Sequence, residues 1–313
     1  MTNLTDEHVF MAAIGGKLVV KGSCVQCNNA LNKEFEEKMT RRLAHFRRVV
    51  RTPDREGNLP VLETKLVESD GKELDGRLMP DGNVQLKPKF TEVVKNGVQE
   101  IVGEHLTEKQ REQMRQKAKE EGWEVIEGTS PGGEVQGSFS GELDFIDSPE
   151  MLRVVAKTAY TALALHCGSN FAMSDTFNNL RTYVRTGSGT PSAKLFLNEG
   201  YLAECAQGPH QHSVILVGRK DKHSVDAIVR LFGGLCYFVK LSERYEGADF
   251  YSTLVYDAQR GEVNQTLVVD VQSEFLQIDE VRDSKGTVWN DRVTAGEWFI
   301  KFLAEAMNTK QNK

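Results

Sequence analysis

The sequence predicts an α+β protein: a small N-terminal ββα module, a polar β-rich connector, and a larger α+β domain toward the C-terminus. Three observations carry this. Residues 1–52 set two short apolar runs around Gly15-Gly16 ahead of a helical apolar spacing. Residues 53–147 are polar and broken by Pro, Gly and Asp, and residues 148–313 alternate capped helical segments with runs rich in Val, Leu, Phe and Tyr. With 313 residues, 39% hydrophobic and 27% charged, the chain is long enough for two or three small cores.

In chain order, Leu4–Met11 reads as a short strand, Gly15-Gly16 as a turn and Lys17–Lys21 as a second strand. A helix is expected from near Asn28, where Leu31, Phe35 and Met39 share one face. In the connector, DREGNLP, ESDGKELDGRLMPDGN and TSPGGEVQGSFSGE are turns joining short strands such as 61–67 and 83–87. One charged helix, about 107–121, has almost no apolar face and is expected to be exposed. Ser148-Pro149-Glu150 supplies a cap, a first-turn proline and an early acid for a helix that stops at Gly168. Asp175 starts another, ending at Gly187. The runs SVILVG, AIVRLFGGLCYFVKL, FYSTLVYD and TLVVDV indicate a mostly antiparallel sheet, and a final helix, about 295–307, turns Trp298, Phe299, Phe302 and Leu303 inward.

No run approaches the roughly 18 apolar residues of a membrane span, so no membrane partner is expected, and MTNLTDEHVF is not a secretion signal. Five cysteines, an odd count over a long chain, argue against a disulfide scaffold and for a reducing cytoplasm. A net charge of −6 excludes a wholly basic nucleic-acid coat protein and leaves a local basic patch open.

The residues with chemistry lie in the first forty. Glu7-His8 is followed by an apolar pair, then Ile14-Gly15-Gly16, then Cys24-x-x-Cys27-Asn28-Asn29 opening a helix. In this order and spacing the set resembles the HNH endonucleases of the ββα-metal class, CxxC type, over about residues 4–40. The segments KTAYTALALHCG, FNNLRTYVRTG and VRLFGGLCYFVKLS are similar to the long C-terminal parts of bacterial proteins that carry this module. The resemblance implies a metal-dependent nuclease hydrolysing phosphodiester bonds of DNA, in bacterial defence or a mobile element. It assigns His8 as general base, Glu7 as a ligand of divalent magnesium or manganese, and Asn28 as the second protein ligand. Those residue types suit the chemistry, which needs a base titrating near neutrality and hard oxygen donors for the cation. Asn32, four residues beyond Asn28 on the same face, is the substitute ligand if Asn28 instead caps the helix.

The sequence also departs from the family. Related proteins of this type usually carry two CxxC pairs around a structural zinc, whereas Cys24 and Cys27 are half of such a site. Either the chain starts late relative to its relatives, or packing staples the module, or a dimer supplies the missing ligands. The proline that often follows the acid–His pair and the central asparagine of the motif have no counterpart. The alternative is therefore a degenerate module that binds nucleic acid or a partner protein without cutting.

Beyond the motif, Lys38, Arg41, Arg42, Arg47, Arg48 and Arg51 are six basic residues in a stretch with no acid. That local reversal in an acidic protein is the footprint of phosphate-backbone contact, and the resemblance implies DNA rather than RNA as the nucleic acid. A homodimer or a defence-system protein is the other expected partner. His210-Gln211-His212 reads as a strand-entry loop rather than a metal pair, and His166 with Cys167 as a satisfied pair ending a helix, an end that favours a cation.

Overall fold

A bulged hairpin opens the chain in the computed structural model, which describes residues 4–68, 71, 73–95, 98–125, 135–138, 145–189, 192–195 and 208–268. The helix expected near 295–307 lies outside these residues. Strands β1 (Leu4–His8) and β2 (Val19–Cys24) pair antiparallel, from Leu4 opposite Cys24 to His8 opposite Val19, with a bulge at Thr5/Asp6. A 3₁₀ turn, Ala12–Ile14, and the two glycines connect them. Gly15 sits at φ +88°, open to glycine at no steric cost, and a Cβ on Gly16 would lie 1.9 Å from the Phe10 carbonyl oxygen.

The helical segment begins at Val25, three residues before Asn28, because Cys24 is the cap. Its backbone is extended and its Sγ accepts the Cys27 N–H at 3.2 Å. Helix α1 (Val25–Leu31) runs through a π turn, Asn32–Glu36, into α2 (Glu37–Arg42) and α3 (Ala44–Val50). Leu31, Phe35, Met39, Leu43, Phe46 and Val50 are buried along it.

Residues 60–141 form one of two compact units. Its strands are β3 (Leu62–Glu68), β4 (Glu73–Leu78), β5 (Val84–Leu86) and the hairpin β6 (Lys89–Lys95)–β7 (Val98–Glu104). Helix α4 (Glu108–Glu121) follows, and β8 (Val135–Ser138) closes a sheet of order β5-β4-β3-β8. A Thr107–Gln110 capping box starts α4 and Gly122 ends it; the helix is mostly exposed, as its charge requires.

The other unit joins residues 1–59 to 142–313, so the N-terminal module and the C-terminal domain share one core. Helix α5 (Pro149–Cys167) starts where Ser148 Oγ accepts the Met151 N–H and ends at Gly168. Short α6 (Ser169–Ala172) and α7 (Asn178–Thr186) follow. The strands β9 (Ala193–Leu195), β10 (Gln211–Arg219), β11 (Ser224–Leu231), β12 (Leu235–Ser242), β13 (Phe250–Asp257) and β14 (Glu262–Val268) make an antiparallel sheet ordered β14-β13-β10-β11-β12-β9. The run AIVRLFGGLCYFVKL is thus two strands, turned by Phe232 at φ +52° and Gly233 at φ +68°. Helix α5 packs against the π turn, β1 and β2, and also against β9–β12, which joins the module to the sheet.

Candidate active site

Strand β1 and the α1–π segment enclose one side of a polar cavity of about 420 Å³, lined by Glu7, His8, Asn28, Asn32 and Glu36 and rimmed by Asp54–Glu56. Residues four apart on a regular α-helix overshoot one turn, whereas the wider π turn falls short of one. The two drifts oppose each other, so Asn28, Asn32 and Glu36 all face the cavity. Capping by Cys24 frees Asn28 from that task. Its amide NH₂ donates to Thr5 Oγ1 and the Asp6 carbonyl, both at 3.4 Å.

Glu7 is buried, 6% exposed, between these elements. Its Oε1 pairs with the ammonium of Lys157 from α5, which also bonds Oε1 of Glu36. Its Oε2 is buried with no hydrogen-bond partner. Burial pushes the Glu7 carboxyl up from its ordinary value, against the pull of Lys157. Burial opposes charge on Lys157 too, but the two carboxylates outweigh it and the ammonium is held above its ordinary range.

His8 is half-buried, and its Nε2 lies 3.2 Å from Nη1 of Arg55. A guanidinium only donates, so Nε2 carries the lone pair and the ring proton falls on Nδ1, which is buried and unpartnered. Burial, then the charges of Arg55 and Lys157, lower the imidazole's affinity for a second proton. His8 is therefore a neutral ring with its basic nitrogen toward Arg55. The Arg55 loop is rigidly built: Asp54 Oδ1 accepts from the Glu56 and Asn58 N–H groups at 2.9 and 2.8 Å, and the Arg55 N–H donates to the Ala12 carbonyl at 3.0 Å.

Cys24 and Cys27 are free thiols. Among the described residues no group of three or more His, Cys, Asp or Glu is arranged to hold a metal ion. The half-site for zinc finds no completing ligands among these residues, and the module packs onto the C-terminal sheet. Phe10 stacks on Tyr256, with ring centroids 5.7 Å apart, and lies 5.4 Å from the His212 ring. His212, fully buried, donates from Nε2 to the Ile14 carbonyl at 3.1 Å and accepts the Phe232 N–H at Nδ1. It is a bridge inside the core rather than a loop residue. His166, in the last turn of α5, has its ring bonded by Ser252 Oγ, and burial holds its pKa down.

The basic run divides. Arg47 is buried and donates to the Asn58 carbonyl at 3.0 Å, so it is not on the surface. The stretch contains no acid, but the fold supplies some: Lys38 pairs with Glu150 at 3.2 Å and Arg41 with Glu37 at 2.6 Å. Arg42 and Arg51 are exposed and Arg48 partly so.

Sequence reasoning missed Glu36, Arg55 and Lys157. Arg55 sits in a stretch that reads only as a turn. Lys157 left a usable signal, a lone cation within VVAKTA on the apolar stretch of α5. No curated protein and no solved structure matches the chain. Residues 1–44, which carry Glu7, His8, Asn28, Asn32 and Glu36, match the family model described as HNH endonuclease. Over this N-terminal segment the chain is similar to the HNH endonuclease family.

Proposed function

We propose that this site hydrolyses phosphodiester bonds of DNA with a divalent cation. The supporting observation is the pairing at the cavity of a neutral His8 with the buried, unpartnered Oε2 of Glu7. That orphaned oxygen, with the amide oxygens of Asn28 and Asn32, is a hard donor set suited to magnesium or manganese. Such a cation, when bound, stabilises charge developing at the scissile phosphate. His8 takes the proton of the attacking water at Nε2. Arg55, exposed at the rim, attracts the substrate phosphate, and its movement onto that anion uncovers Nε2. Arg42, Arg48 and Arg51 supply backbone contacts that carry affinity without sequence information. A role in defence or a mobile element rests on the resemblance to this family alone.

A second reading, a module that binds nucleic acid without cutting, is favoured by one observation: Lys157 already occupies Oε1 of the motif acid. Cleavage of supercoiled plasmid separates the two. The full chain is incubated with magnesium, manganese or chelator, beside His8→Ala. Nicking that needs metal and is lost in His8→Ala while binding persists supports the nuclease. Salt-sensitive binding with no nicking under any metal establishes the second reading.

A further inference from the structure

We propose that Lys157 is the resident counter-ion of this acidic centre, a positioning residue that fixes Glu7 through Oε1 and leaves Oε2 as its oxygen for an incoming divalent cation. The proposal rests on the reading of Glu7 as a metal ligand. Lys157 lies on α5, outside the segment that matches the HNH family, so the C-terminal domain completes the site's charge.

A lysine among Val154, Val155, Ala156 and Ala159, all buried, costs stability unless its charge is matched. It is matched twice. The ammonium bonds one oxygen of Glu7, from β1, and one oxygen of Glu36, from the end of the π turn. Glu7 and Glu36 carry two negative charges and Lys157 one positive, which leaves a single negative charge for an incoming cation. Without the lysine, two carboxylates would face one another across a part-buried space, and a divalent ion would bridge them tightly. With it, Glu7 is held in one orientation before any metal arrives. Glu36 is kept off the metal, and the oxygen left over is Oε2 of Glu7, buried and unpartnered.

Mn²⁺ binding to the full chain, measured by isothermal titration calorimetry, tests this. Wild type is expected to bind one Mn²⁺, and Glu7→Gln to lose it. Lys157→Met frees both carboxylates and is expected to bind Mn²⁺ about tenfold tighter or more. Glu36→Gln leaves Lys157 to Glu7 alone and is expected to weaken Mn²⁺ several-fold. These opposite signs are what a merely structural ion pair would not produce. If Glu7→Gln loses Mn²⁺ while Lys157→Met binds like wild type or more weakly, the inference about Lys157 falls and the metal reading stands. If Glu7→Gln binds like wild type, Glu7 is not a ligand and both fall. Should Lys157→Met fail to fold, Glu36→Gln decides: wild-type affinity there overturns the inference.

Discussion

The Tyr256 hydroxyl, on β13, donates to the Gly15 carbonyl 2.6 Å away and accepts the Lys17 N–H at 3.2 Å. One side chain of the C-terminal sheet thereby pins the Gly-Gly turn between β1 and β2, the hairpin that carries Glu7 and His8. This contact and the stacking of Tyr256 on Phe10 tie the module to the C-terminal sheet by packing.

Tyr256→Phe keeps the ring on Phe10 but leaves two backbone groups without their partner, a loss of about 1–3 kcal/mol. Urea denaturation should show that loss. The wild-type melting temperature, measured without added metal, should be the same with and without EDTA. A fall of many degrees in EDTA would mean that a bound metal staples the module after all.

Acid should weaken the same junction. Complete burial, together with the charge of His210 and despite Asp257, pushes His212 down from 6.5 to about 4. Between those values the unfolded chain takes up a proton that the native ring refuses, so stability rises with pH through the window and is lost as pH falls toward 4. The full linkage is about 3 kcal/mol. Denaturation at pH 7 and pH 4.5 should show a smaller difference in His212→Gln than in wild type. An equal difference would show that His212 is not the group responsible.

The glycine pair and the motif were legible because their causes are local. Gly15 needs a positive φ and Gly16 a bare Cα, and both demands are written in the residue type. The helix boundaries at Ser148 and Gly168 were legible for the same reason. The start at Val25 was not, because a cysteine is an unusual cap and asparagine a common one. The carboxylate partners of Lys157 and the place of Arg55 stayed hidden because a contact across the fold has no sequence spacing. The fate of Arg47 was also invisible: a run of arginines looks uniformly solvated until packing turns one of them inward.

Gly16 offers a test of how tight that hairpin is. An added methyl at 1.9 Å from the Phe10 oxygen meets backbone, which cannot swing aside as a side chain can. Gly16→Ala should cost on the order of 3 kcal/mol. Gly57, at φ +91° with nothing within 4 Å of its Cβ direction, is the control. Gly57→Ala should cost about 1 kcal/mol, the backbone strain alone. Equal losses in the two variants would show that the hairpin relaxes around the new methyl.

The divided basic run predicts a divided set of phenotypes. Arg42 and Arg51 are exposed, so reversing both to Glu should weaken DNA binding while leaving the melting temperature nearly unchanged. The slope of log affinity against log salt should become shallower by about 0.9 for each phosphate that is no longer neutralised. Arg47→Ala should do the reverse. Its guanidinium is buried on the Asn58 carbonyl, burial holds its pKa below the ordinary arginine value, and truncation removes a charge-assisted bond and buried stem atoms, worth about 2 kcal/mol. Folded Arg47→Ala should keep its salt slope. Fluorescence anisotropy on a labelled duplex across several salt concentrations, with melting curves on the same samples, reads both effects. A shallower slope in Arg47→Ala would place that side chain on DNA, and an unchanged slope in the Arg42/Arg51 reversal would take nucleic acid off this face.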